Sequence, residues 1–345
     1  MRIIKPLLFL AVIVSYGLTA VSDGFYANVS EETMITPVSA ALAGSDLSMS
    51  TGASVEGTPG NLPFDSLNRL SLAYAGYFHN TFSNSMLTWS GQPFKNIGIS
   101  LLAGYIYIPD ILDTRGSVAN DSGELEEAKI SLYSASKMFF RAGIGRRFDL
   151  TPAISIGAGV AVNAKRYRLP ETGYGISMDA GVKSLFSKPG ISLALQVENL
   201  TSSYIYWNES FQERSYPHMR AGIGWERYFP YIYGALRVCY ATPDLLTNES
   251  IQSYSIEVTE NNNAIEIPDS THYEIYERPL LLLTQGKFGV EYTMFRTVAL
   301  RIGISNRKFK FGAGLRLWNE RAGLDFAYIT HTLAETYQLA AHYSW

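Results

Sequence analysis

The chain has 345 residues, 28 Lys plus Arg against 31 Asp plus Glu, a net charge of −3, and 47% hydrophobic residues. That balance carries no footprint for nucleic acid, and beyond residue 20 no apolar run reaches the roughly 20 residues of a membrane-spanning helix. The single cysteine, Cys239, excludes an internal disulfide, while 23 Tyr, 17 Phe and 29 Gly suit a large β-structure, either a soluble sandwich or a membrane barrel.

The first elements in chain order are not strands. Arg2 and Lys5 precede the apolar run 7–14, and Ala20, Val21 and Ser22 supply small residues for cleavage, so residues 1–22 are expected to be a signal peptide. A membrane anchor is the competing reading, against which the apolar run is short. Residues 23–68 lack strand alternation, and 37–60 are crowded with Ser, Ala and Gly. This segment is expected either to be a hatch inside a barrel or to form a flexible periplasmic tail.

From residue 69 to 345 the period becomes two, which puts alternate side chains on opposite faces of a strand. In the last strand Tyr337, Leu339, Ala341, Tyr343 and Trp345 fall on one face, with Gln338, Ala340, His342 and Ser344 on the other. Phe309, Phe311, Ala313, Leu315 and Leu317 oppose Lys308, Lys310, Gly312, Gly314 and Arg316 in the same way. The pattern predicts fourteen strands, near 69–78, 84–91, 97–108, 128–147, 153–165, 174–186, 190–202, 218–227, 231–241, 284–294, 297–305, 308–318, 322–330 and 335–345.

The connections favour the barrel. An even strand number puts both ends of the 69–345 region on one side, with short turns there and longer loops opposite. The connections at 92–96, 148–152, 187–189, 228–230, 295–296 and 319–321 are all short, whereas 109–127, 166–173, 203–217 and 242–283 are long. Two connections on the long side, the first hairpin and 305–307, are short. The chain is therefore read as all-β, a transmembrane antiparallel β-barrel of about 14 strands with an N-terminal hatch or plug, located in the bacterial outer membrane.

With apolar faces toward lipid, the charged faces must line the lumen, because a lysine or arginine at the lipid midplane costs about 2–4 kcal/mol. That assigns Arg141, Lys165, Asp179, Lys183, Glu198, Arg220, Glu226, Arg237, Glu291, Arg301, Lys308, Lys310, Arg316 and Asp325 inward. They are expected to form cross-strand ion pairs or to mark a polar path. The pairs Gly143/Gly145, Gly157/Gly159, Gly222/Gly224 and Gly312/Gly314 also fall inward, leaving room for a second backbone against the wall. On this reading the lumen is polar or glycine-lined, which argues against a large apolar cavity.

The acidic stretch 242–283 matches no calcium-loop spacing and reads as a solvated loop, with cation or partner binding as the alternative. His79, His218, His272, His331 and His342 show no metal spacing. His342 and Ser344 share a face without an acid nearby in sequence to orient them. No catalytic, cofactor or metal residue is assigned, and no enzymatic activity is expected. Tyr343 and Trp345, closing an alternating strand, look like the terminal signal read by the barrel assembly machinery.

Three stretches resemble the FadL-like barrels, and within them the PorV/PorQ-type branch. They are Thr58-Pro59-Gly60-Asn61-Leu62, which departs from the family's Asn-Pro-Ala-Gly-Leu type; Gly175-Ile176-Ser177-Met178-Asp179-Ala180-Gly181 with Val197-Glu198-Asn199-Leu200-Thr201-Ser202-Ser203 and Trp207; and Gly323-Leu324-Asp325-Phe326-Ala327-Tyr328 through the aromatic end. The resemblance implies a fourteen-stranded barrel with an N-terminal hatch. It implies movement of small hydrophobic compounds, or alternatively a non-enzymatic partner role in type IX protein secretion or surface attachment. The partners expected are outer-membrane lipid and lipopolysaccharide, the assembly machinery, and a small apolar ligand or secretion-system proteins.

Overall fold

The computed structural model describes residues 36–49, 57–113, 131–169, 171–208, 212–215, 217–246, 251–258, 264–271, 279–330 and 334–345. The expected leader at 1–22 lies outside them, as does part of the acidic 242–283 stretch.

The described residues form eighteen strands in chain order: β1 (Arg69–Tyr77), β2 (Phe82–Phe94), β3 (Ile97–Asp113), β4 (Ser131–Thr151), β5 (Ile154–Arg168), β6 (Thr172–Phe186), β7 (Ile191–Glu198), β8 (Ser203–Trp207), β9 (Gln212–Ser215), β10 (His218–Phe229), β11 (Gly234–Ala241), β12 (Ile251–Val258), β13 (Ala264–Thr271), β14 (Lys287–Met294), β15 (Val298–Ser305), β16 (Lys308–Leu317), β17 (Ala322–Ile329) and β18 (Thr336–Ser344). Among the described residues, β12 and β13 pair only with each other. Of the rest, fourteen close an antiparallel barrel, sealed where β18 pairs with β1 from Arg69↔Ser344 to Gly76↔Tyr337. Closure leaves no edge with unpaired backbone groups, the condition for strands to cross lipid.

The wall is inside-out relative to a soluble protein. Along β18, Thr336, Gln338, Ala340, His342 and Ser344 are buried, while Tyr337, Leu339 and Tyr343 are exposed. Exposed apolar side chains continue around the outer face through Leu72, Leu87, Leu101, Phe140, Val162, Ile176, Ile223, Leu300, Phe311 and Leu324. Aromatic residues crowd both rims of this belt. Phe94, Phe148, Tyr228, Trp318 and Trp345 are exposed at the short-turn end, and Tyr105, Tyr107, Tyr174 and Tyr206 at the loop end.

One expected loop is sheet. Residues 203–217 contain β8 and β9, which extend the wall because β8 pairs with the start of β6 (Gly173↔Trp207 to Ile176↔Tyr204). The interruption sits at 199–202, where Asn199 and Ser202 take φ of 51° and 57°. The turn-forming residues there mark a bulge within a continuing strand rather than its end. β3 likewise runs to Asp113, past a register shift between Ile108 and Ile111.

The lumen and the segment seated in it

Two pieces of the N-terminal region lie against the inner wall. The first holds helix α1 (Pro37–Ala41), begun by Pro37 after the Thr36 cap, and a 3-10 turn at Asp46–Ser48. The second is a 3-10 stretch at Pro59–Phe64. Neither carries the repeating apolar face that would let it fold alone; each is buried by what it touches.

The contact surface is glycine. A methyl group on Gly159 would stand 2.5 Å from the Pro59 carbonyl oxygen, and one on Gly145 2.6 Å from the same atom. On the far wall, Gly303 faces the backbone of Leu42 at 2.5 Å and Gly289 faces the Leu42 carbonyl oxygen at 2.9 Å on the same measure. The inward glycines thus admit backbone where any side chain would exclude it. Of the residues in the family-like stretch, Thr58, Pro59, Gly60, Asn61 and Leu62 are all buried here. The Asn61 amide donates to the carbonyls of Leu47 (2.9 Å) and Met49 (3.2 Å), tying the two pieces together. Gln92 donates to the Pro63 carbonyl at 2.7 Å, Arg141 to the Gly57 carbonyl at 3.1 Å, and the Ser45 hydroxyl lies 3.1 Å from the Cys239 sulfur. The Phe64 ring sits beneath Lys183 (4.9 Å) and Arg147 (5.3 Å). Burial pushes the nearby Asp65 carboxyl above its ordinary value, against the lowering pull of Arg69 and Lys183.

The ladder registers place every charged residue expected inward on the inner face, and most of them pair. Arg237 bridges Glu226 (3.0 Å) and Glu291 (2.7 Å); Glu291 also takes Arg301, which reaches Asp325 at 2.8 Å, and Asp325 takes Arg316 at 2.8 Å and His342 at 3.4 Å. This chain of alternating sign crosses the inner surface from β10 to β17, and His342 of β18 meets its end at Asp325. A second cluster centres on Asp179, which pairs with Arg141 and accepts from Asn163 and from the Asn199 backbone, both at 2.9 Å. Arg220 pairs with Glu198. Lys165 lies opposite Phe139 and Gly175, Lys183 opposite Gly157 and Ala194, and Lys308 and Lys310 opposite Ser305 and Gly303. Lys137, opposite Ile106 and Tyr167, also faces in and was absent from the expected set.

The inner face is not lined by polar residues and glycine alone, as the alternation predicts it to be. Met86, Leu102, Ile106 and Phe139 form a buried cluster with Ala73 and Ala340, flanked by Phe82 and Ile108, all on inward positions of β1–β4 and β18. It lies on the loop side of the docked Pro59–Phe64 stretch. The signal was hidden because β3 is apolar on both faces: Leu101, Tyr105 and Tyr107 point out while Leu102 and Ile106 point in.

A closed fourteen-stranded wall, apolar outside and charged within, defines a bacterial outer-membrane β-barrel. No family model and no curated protein matches the chain. Solved structures do. The deltaS2S3 mutant of the monoaromatic hydrocarbon channel TodX superposes with a TM-score of 0.53 at 11% identity, covering 90% of this chain and 97% of that one. The Pseudomonas putida toluene transporter TodX gives 0.50 at 12% identity, covering 94% and 98%. A Pseudomonas aeruginosa FadL homologue gives 0.49 at 10% identity, covering 93% and 99%. At these identities the likeness is one of fold, and the fold is a FadL-like barrel.

Proposed function

We propose that this barrel is a channel for small hydrophobic compounds, working without catalysis, and that the 23–68 segment, described at 36–49 and 57–68, is its hatch. The observation that carries the reading is the inward apolar cluster Met86, Leu102, Ile106 and Phe139 on the loop side of the chain docked on inward glycines. An apolar solute entering from the loop side would have to part these packed side chains, and would then be among apolar groups rather than in the ion-pair chain. The neighbours of this fold are a monoaromatic hydrocarbon channel and a toluene transporter, which supplies a first substrate class to try.

The test is uptake of radiolabelled toluene and of a long-chain fatty acid by cells lacking their own channels of this kind. Uptake should rise with the protein and fall again with Ile106→Gln, measured at equal amounts of folded barrel. Uptake unchanged by the protein removes the channel reading. In planar bilayers, deletion of residues 38–62 should raise conductance; no rise means that the segment does not close the lumen. A protein partner co-purifying with no small ligand would instead support the secretion role of the PorV/PorQ-type branch, for which the β12–β13 hairpin would be the surface to test first.

A further inference from the structure

The outer wall carries a site unrelated to the channel reading. At the loop end, β3 and β4 run on past the last β5 pair, Ser136↔Arg168. The step leaves a groove of about 520 Å³, open to the outside and lined by Tyr105 and Tyr107 of β3, Tyr133, Ser134 and Ser136 of β4, and Arg168 of β5. The Tyr105 and Tyr107 rings stack 6.3 Å apart, and the Tyr107 hydroxyl is 3.2 Å from the Ser134 hydroxyl. One strand position below, Arg166 also points outward and lies 5.9 Å over the Tyr174 ring.

These two arginines break the rule that governs the inner face. Arg141, Arg220, Arg237, Arg301 and Arg316 each hold a carboxylate. Among the described residues, Arg166 and Arg168 are in no ion pair, although they stand side by side on a lipid-facing strand. An outward cation is tolerable only where the belt ends, since its cost falls from about 2–4 kcal/mol at the midplane to about 0–1 at the interface. Both ends of the 69–345 region lie at the opposite, short-turn rim, so this rim faces the outer leaflet. The groove therefore joins acyl-compatible rings, hydroxyl groups and the Arg168 guanidinium at headgroup height, with Arg166 exposed beside it over the Tyr174 ring. Guanidinium groups bind phosphate bidentately, and aromatic rings pack on the chains beneath it.

We propose that this groove docks the phosphorylated headgroup of an outer-leaflet glycolipid, with Arg168 and Arg166 holding phosphate and Tyr105 and Tyr107 lying along the first acyl chain. The experiment is native mass spectrometry of the full barrel released from nanodiscs of zwitterionic lipid doped with lipid A, or with the same lipid A stripped of its phosphates. The intact protein should retain phosphorylated lipid A in preference to the stripped form. Arg166→Gln/Arg168→Gln should cut that retention by about tenfold or more, while Arg146→Gln/Arg227→Gln, at the opposite rim, should leave it unchanged. Millimolar inorganic phosphate should not displace the lipid. Equal retention of both lipids, equal loss in both double variants, or displacement by free phosphate would each overturn the proposal. Heat-modifiable migration on gels confirms that each variant is folded before comparison.

Discussion

Both sides of the barrel meet the N-terminal segment at inward glycines, and they differ in what surrounds that contact. The β3–β6 side has strands of 17, 21, 15 and 15 residues and meets the Pro59–Phe64 stretch backbone to glycine, with apolar side chains above. The β14–β17 side has strands of 8 to 10 residues and is bound across by charge. Undocking the first arrangement takes the Phe64 ring from Lys183 and Arg147 and the Gly57 carbonyl from Arg141, while the Arg141–Asp179 pair stays within the wall. The second cannot lose a member without leaving a buried ion alone. The difference teaches where motion is affordable: in the seated segment, and not in the ladder.

The largest effect should come from breaking the ladder at its centre. Glu291 is 2% exposed and serves both Arg237 and Arg301. Glu291→Ala should cost about 3–5 kcal/mol, the usual loss when one partner of a buried pair is removed, read as a lower urea midpoint for unfolding from lipid vesicles. Replacing Glu291 and Arg301 together with Met should recover part of that loss. If the single variant is no less stable than the double, the ladder is not what holds this side.

Next is the glycine-docked side. Gly159→Val places branched carbon where the Pro59 carbonyl oxygen lies, and overpacking of this kind costs about 1–3 kcal/mol. The barrel should still form, with the Pro59–Phe64 stretch displaced, so bilayer conductance should rise while the urea midpoint moves little. A large fall in barrel stability with unchanged conductance would reverse the comparison, making the segment part of the wall's own stability.

A smaller effect tests the link between the two N-terminal pieces. Asn61→Ala removes the bonds to the Leu47 and Met49 carbonyls, each worth about 0.5–1.5 kcal/mol net. Proteolytic nicking between the pieces should speed up several-fold, and barrel unfolding should be unaffected.

Much of this contrast was readable before the fold was known, and the reason for the exceptions is physical. Tyr337, Leu339 and Tyr343 against Gln338 and His342 declare their faces because lipid tolerates only one of the two sets. The inward charges on β10–β17 follow from the same cost. The Met86–Leu102–Ile106–Phe139 cluster did not show, because an apolar residue is acceptable on either face and the alternation in β3 vanishes. Residues 199–202 read as the end of a strand and 203–217 as a loop, because Asn, Thr and Ser serve turns and bulges alike, so the strand pairing of 203–207 beyond the break did not show. Pairing partners such as Arg237 with Glu291 belong to strand register, which no single strand contains.

The smallest expected effect isolates burial as the cause of the largest. His79 and Glu335 form a 3.3 Å contact at the loop end, with side chains 68% and 40% exposed. A surface contact of this kind contributes about 0–1 kcal/mol, because water surrounds both groups. Glu335→Gln should therefore leave the urea midpoint within about 0.5 kcal/mol of the parent, although it deletes the same chemical group as the Glu291 substitution. Raising the salt concentration should erase even that difference while leaving the cost of Glu291→Ala largely intact. Were Glu335→Gln to cost as much as Glu291→Ala, the strength of the ladder would have to be ascribed to charge number, and the contrast between its buried arginines and the water-facing rim would lose its basis.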